Sequence, residues 1–337
     1  MTIPLAWTNP KIDYKNSIFS FDFRAINYYH ETPLEAAIKT VDYIANNYPS
    51  PYILYLSGGV DSQAMLYAWH KSGVPFVTHS AKFNHDLNNH DLQTIEAFSN
   101  KLDIKINFVP FDLFSFLDTE HEHYAKTYLT GSPQFTSFMK IVSMQEEGTA
   151  IMSGEFLIPN LNYDLIKNYP NIKITSYKSS IDRNAMGLFH FAYKNKCNFV
   201  PWFFLETEML AHSFYKKFND VTAKKFHEIV KLMDTGYGHY LYKVALYQDQ
   251  GFPIIPQENP IKGKFNGFEK VKEYYDQQFI IKKTELTSDE LHEFESEYKR
   301  LLQMRTSKQL SRRYFDVKYR NKYEVAISSL IYNQRVL

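Results

Sequence analysis

Between Pro33 and Met152 the apolar positions switch repeatedly between a period near 3.6 and short continuous runs, which predicts alternating helices and strands. From Pro33 to Asn47, Leu34, Ala37, Ile38, Val41 and Ile44 recur at three- and four-residue spacing, an amphipathic helix introduced by Thr32 and Pro33. Tyr52-Ile53-Leu54-Tyr55-Leu56 is a short apolar run of the kind buried on both faces of a parallel sheet. A helix over Asp61 to Lys71, with Ala64, Met65, Ala68 and Trp69 as apolar surface, stops at Gly73 before a strand at Pro75 to His79. The rhythm continues with a helix from Asp91 to Leu102 and a strand from Ile104 to Val109. A helix from Pro133 to Glu147, closed by Gly148, precedes a strand at Thr149 to Met152.

This alternation predicts an α/β fold on an open parallel sheet with right-handed crossovers. Before Pro33, aromatic and polar residues mix without helical period, which fits short strands packed on the main domain. Beyond about Pro201 helical pattern takes over, at Glu206 to Phe218, Thr222 to Met233 and Glu290 to Met304. The organisation expected is an N-terminal extension over 1–32, a sheet domain over 33–200 and a mainly helical C-terminal region over 201–337 that completes the site. Gly251 to Gly267 reads as a long ordered loop, and loops of that length often carry function. There is no internal repeat.

With 337 residues, 44% hydrophobic and 17% aromatic, the chain can bury a large core. Lys and Arg number 38 against 37 Asp and Glu, so no global charge draws nucleic acid or an anionic membrane. The single cysteine, Cys197, excludes an intramolecular disulfide and a Cys-rich metal site, and is expected to be a small core residue. No stretch approaches the roughly 20 apolar residues of a membrane span, and the N-terminus lacks signal-peptide character. A cytoplasmic protein with no membrane partner is expected.

Candidate chemistry concentrates at Ser57-Gly58-Gly59-Val60-Asp61-Ser62, between a predicted strand and a predicted helix. In parallel α/β sheets ligands sit at the carboxyl ends of strands, where the next helix offers unpaired N–H groups and a positive dipole to an anion. Gly58 and Gly59 let backbone amides approach phosphate oxygens closely, and the Ser57 and Ser62 hydroxyls can donate. Asp61 would repel phosphates unless a divalent cation lies between or it caps the helix, so it implies magnesium with capping as the rival. The loop lacks the lysine of a Walker A sequence and is not the dinucleotide glycine fingerprint.

The loop resembles the pyrophosphatase (PP) loop of the N-type ATP pyrophosphatases, adenine nucleotide alpha hydrolase-like proteins that include asparagine, GMP, NAD and argininosuccinate synthetases and tRNA-thiolating enzymes. The resemblance implies a Rossmann-like (HUP) PP-loop domain and binding of ATP with magnesium. It implies cleavage between the α and β phosphates and activation of a substrate as its adenylate. It places His79, Ser80, Ala81 and Lys82 beside the nucleoside. Ser153-Gly154-Glu155 matches the equivalent segment of asparagine synthetases and β-lactam synthetases, where the glutamate lies at the reaction centre. There further acidic residues follow, whereas here Phe156-Leu157-Ile158-Pro159-Asn160 do. His239-Tyr240-Leu241-Tyr242-Lys243, Gly251-Phe252-Pro253 and Lys262-Gly263-Lys264-Phe265 resemble the helix and basic loop that close over pyrophosphate in asparagine synthetase. Lys243 stands where that family has an arginine and His239 where it has a lysine, leaving Lys243, Lys262 or Lys264 to supply the charge.

Asparagine synthetase also carries an N-terminal glutaminase whose nucleophilic cysteine follows the initiator Met; Thr2 stands here. The resemblance therefore implies an AMP-forming ligase making an amide or C–N bond on a small-molecule acceptor. Its nitrogen would come from free ammonia, an amine or a separate glutaminase. Glu155 would orient or deprotonate the amine. Sulfur transfer is disfavoured by the lone cysteine. Rival readings are a tRNA- or DNA-base-modifying enzyme using Lys308, Arg312, Arg313, Lys318, Arg320 and Lys322, a non-catalytic ATP sensor or partner subunit, and a plain ATP hydrolase. His121-Glu122-His123 lacks the four-residue spacing of the helical zinc motif and reads as a solvated loop.

Overall fold

The computed structural model describes residues 31–128, 133–154, 158–159, 177–178, 194–207 and 237–256. It also describes shorter pieces at 188, 191–192, 209–210 and 213–214 and the backbone of 7–13 and 18–23. At the N-terminus β1 (Trp7–Asp13) and β2 (Ile18–Phe23) pair antiparallel, the short strands expected there.

The helix α1 (Pro33–Asn47) starts where its capping residues dictate. Thr32 accepts from the Glu35 N–H at 3.3 Å, Glu35 Oε2 accepts from the Thr32 N–H at 2.8 Å, and Pro33 opens the first turn. Its buried face is Ala36, Ala37, Thr40, Val41 and Ile44, set by the helical period. After it come β3 (Tyr52–Tyr55), α2 (Val60–Ser72), β4 (Val77–Phe83), α3 (Asn89–Asn100) and β5 (Asn107–Phe111). The next elements are α4 (Leu113–Thr119), α5 (His121–Tyr128), α6 (Pro133–Ser143) and β6 (Thr149–Met152). The two-residue strands β7 (Ile158–Pro159) and β8 (Tyr177–Lys178) pair antiparallel, and β9 (Phe199–Val200) and α7 (Tyr237–Asp249) follow.

Five strands form one parallel sheet in the order β5-β4-β3-β6-β9. The chain thus steps outward from β3 to β4 to β5, returns to the other side of β3 as β6, and steps outward again to β9. The reversal between β3 and β6 is a topological switch point, where adjacent loops diverge and leave a crevice at the carboxyl ends of the strands. The α/β open parallel sheet expected from the sequence is the fold observed. One core cluster joins α1, β3, α2, β6, β9 and α7, with Trp69, Phe191, Phe203, Phe204, Phe214, Tyr247 and Phe252 fully buried. A second, around Phe83, Phe111, Phe114, Phe116 and Ile141, fills the space under α4.

Several boundaries move. The strand expected at Pro75–His79 is Val77–Phe83, because Thr78 and Ser80 are buried by donating their hydroxyls to Lys105 O and Leu56 O. His121-Glu122-His123 is no solvated loop. It opens α5, with His121 buried and its Nδ1 2.9 Å from Thr136 Oγ1. The helix expected from Glu206 has helical backbone at 209–210 and 213–214, while those at Thr222–Met233 and Glu290–Met304 lie outside the described residues.

Candidate functional site

The loop from Ser57 to Ser62 leaves β3 at the switch point. Gly58 adopts φ +85°, a left-handed conformation that a side chain disfavours, and a Cβ there would overlap the carbonyl oxygen of Asp91 in the first turn of α3. Gly59 is the N-cap of α2 and makes no side-chain cap, so the first turn presents main-chain N–H groups at the positive end of the helix dipole. Ser57 and Ser62 face each other, Oγ to Oγ at 2.9 Å, and the Ser57 N–H donates to Ser62 Oγ at 3.1 Å, closing the loop into a ring.

Asp61, at the second helical position, is not the cap that the sequence left open as a rival. Its carboxylate turns to α7, where Lys243 Nζ donates to Oδ2 and the Tyr247 hydroxyl to Oδ1, both at 2.7 Å. The Asp61 and Lys243 side chains are 18% and 6% exposed, so the pair is largely withdrawn from water and its attraction is weakly screened. Lys243 and Tyr247 stand four apart on α7 and so share one helix face. Tyr247 is itself wedged among the rings of Phe204, Phe214 and Phe252.

At the end of β4, Ser80 is buried with its hydroxyl given to Leu56 O at 2.7 Å, so it ties β4 to β3, while Lys82 is exposed. His79 is half-buried beside the Tyr55 ring, and burial lowers its pKa, favouring neutral imidazole. Burial pushes the Tyr55 hydroxyl up to about 12, and it donates to Gln145.

At the end of β6, Gly154 adopts φ +63°, and a Cβ there would collide with the Trp202 indole, which stacks on Phe135. Glu155, Lys262 and Lys264 lie outside the described residues, as does the side chain of His239. The fold thus brings together the loop, Asp61 and Lys243, and it sets the ends of β4 and β6 on either side of β3.

Tyr247 and Gln63 were missed from sequence. Tyr247 carries a signal in its four-residue spacing from Lys243, but nothing local shows that this face meets Asp61. Gln63 sits one residue past the loop, fully buried and bonded to the main chain of Ile255.

The donor set has room for magnesium held jointly with a polyphosphate. Asp61 is a carboxylate at the first turn of α2, each of whose oxygens can accept more than one bond, and magnesium is usually bound by one or two carboxylates, phosphates and water. Among the described residues no cluster of three or more His, Cys, Asp or Glu side chains could hold a metal alone, and no helix is long and apolar enough to cross a membrane. Burial raises the Cys197 thiol to about 11, consistent with an inert core residue.

No protein family matches the chain, and no curated protein does. Among solved structures it is similar to an NH3-dependent NAD synthetase from Campylobacter jejuni, at 16% identity and TM-score 0.31 over 69% of this chain and 96% of that one. An NMN synthetase from Francisella tularensis follows at 13% identity and TM-score 0.28, over 67% and 99% of the two chains. A glutamine-dependent NAD+ synthetase from Acinetobacter baumannii has 13% identity and TM-score 0.26, over 73% and 50%. Likenesses at this level leave the function to be argued from the chain's own residues.

Proposed function

We propose that this protein is an ATP-dependent, AMP- and pyrophosphate-forming ligase that activates a small-molecule acceptor and joins it to nitrogen. The observation that carries the reading is the glycine loop at the switch point of a parallel sheet, with Gly58 left-handed against Asp91 and with Asp61 and Lys243 beside it. An anion entering there meets the N–H groups of the first turn of α2 and a lysine already withdrawn from water, both fixed before binding. Catalysis by such a site is positioning and electrostatic stabilisation of the departing pyrophosphate. Asp61 would hold magnesium, which neutralises phosphate charge, and Lys243 would share that charge as the pyrophosphate leaves. An acceptor oxygen attacks the α phosphorus, and ammonia or an amine displaces AMP from the adenylate. Glu155, three residues beyond Met152 at the end of β6, is the group we assign to orienting that amine.

The carboxylate of Asp61, already engaged by a cation and a hydroxyl, favours one second reading, a nucleotide sensor that binds ATP without turnover. Analysis of products from α-labelled ATP, with magnesium, a small-molecule extract and either ammonia or glutamine, separates the two. The comparison is Asp61→Asn, which keeps an acceptor for Tyr247. AMP and pyrophosphate from the native chain, reduced at least about 100-fold in the variant, are expected by analogy with the loss of an electrostatic contact at a reaction centre. ATP binding without AMP would establish the sensor, and neither binding nor turnover would remove the phosphate-loop reading altogether.

A further inference from the structure

Gln63 belongs to no motif in the chain, yet its side chain makes three bonds to main chain, one at the loop and two at Ile255. Its Nε2 donates to Gly58 O at 3.3 Å and to Ile255 O at 3.1 Å, and its Oε1 accepts from the Ile255 N–H at 2.8 Å. Both ends of the amide are therefore used. Two consequences follow from elementary geometry. A trans peptide carries its N–H opposite its C=O, so drawing the Gly58 carbonyl toward Gln63 turns the Gly59 N–H to the side away from Gln63. Ile255 lies just beyond the turn after α7, and that segment is tied back to the helix by the Phe252 N–H to Tyr247 O at 3.0 Å and by Gln248 Nε2 to Ile254 O at 3.1 Å, so holding Ile255 also steadies the helix that presents Lys243.

We propose that Gln63 is a positioning residue for the phosphate loop, aiming the Gly59 N–H at a bound anion and seating Lys243 beside it through the main chain of Ile255. The proposal rests on the phosphate-loop reading above. A side chain that only filled space would require none of the three bonds, because methionine or leucine supplies similar bulk. The positioning role instead requires that losing the bonds weakens the grip on phosphate while leaving the nucleoside untouched.

The test is calorimetric titration of the full chain with inorganic pyrophosphate and, separately, with adenosine, comparing native protein with Gln63→Met. Pyrophosphate affinity is expected to fall about tenfold, the worth of roughly one or two lost hydrogen bonds, with adenosine affinity unchanged. Should Gln63→Met fail to fold, Gln63→Leu carries the same expectation, since it is neutral, of similar bulk, and makes none of the three bonds. Pyrophosphate affinity within twofold of native, or an equal loss for both ligands, would overturn the positioning role. Native protein that binds no pyrophosphate would remove the phosphate-loop reading, and the role of Gln63 with it.

Discussion

Glu206 lies fully buried beside the C-terminal end of α1, with one carboxyl oxygen accepting from the Tyr48 hydroxyl at 2.7 Å and the other without a partner among the described residues. Burial outweighs the Tyr48 bond and raises its pKa to about 8. The folded state then holds a proton that the unfolded chain releases above its ordinary carboxylate value. The stabilisation is complete below about pH 4.5 and drains away as pH rises to about 8, at roughly 1.4 kcal/mol per pH unit within that window. Glu206→Gln, neutral throughout, is therefore expected to gain stability over native protein between pH 5 and pH 8, and chemical denaturation at several pH values would show the gap widening. A gap that stays constant would contradict the assignment. Residue identity alone hid this group, because its burial depends on α1, 158 positions back along the chain at Tyr48. Gly58 and Gly59, by contrast, were legible, since their lack of a side chain is itself the signal. The bond between Ser57 and Ser62 was not, because hydroxyls named as phosphate donors can as readily bond each other.

Elements were legible wherever a run of residues has one partner surface. The strand at Thr149–Met152 has the expected bounds, and α1 starts at Pro33 as its capping residues predict. The paired helices α4 and α5 escaped notice, because residues 113–128 mix Phe, His, Glu and Asp without a clean stripe. Their packing depends on Phe83, Phe111 and Ile141 from elsewhere. For α7 the consequence is testable. Tyr247 and Lys243 hold the helix to α2 through one carboxylate, and Tyr247→Phe removes a hydroxyl bond to that charge without changing the ring packing. A loss of about 1.5–3 kcal/mol is expected by equilibrium unfolding, the usual worth of a hydrogen bond to a charged group. A loss below about 0.5 kcal/mol would mean that the Tyr247 hydroxyl contributes little to holding Asp61.

At the scale of the molecule, the alternation of helices and strands announced a parallel sheet, but not that β3 would stand at its centre with β4 on one side and β6 on the other. Strand order depends on which crossovers reverse direction, and no local pattern encodes that. The order matters because it makes the end of β3, from which the loop leaves, a switch point of the kind at which open α/β sheets bind ligands. A ligand that binds only the folded crevice must stabilise the whole chain by mass action, about 2.7 kcal/mol at 100 times its dissociation constant. Magnesium with ATP is therefore expected to raise the melting temperature of the native protein by several degrees in a thermal shift experiment. Adenosine with magnesium, lacking the phosphates that the loop would hold, should bind more weakly and give a smaller rise at equal concentration, and no shift with ATP would count against this end of the sheet as a nucleotide site.

Asp61 meets Lys243 across 182 residues, and Gln63 meets Ile255 across 192. Contacts that far apart in sequence form only after the intervening chain has been made and folded back, and they carry the largest loop-closure cost. A ribosome that has released β3, the glycine loop and α2 has therefore made the loop without the partners that hold Asp61 and Gln63. Both contacts have to wait until residues 243 and 255 have been made, so they belong to the late steps of folding rather than to the early pairing of β3 with α2.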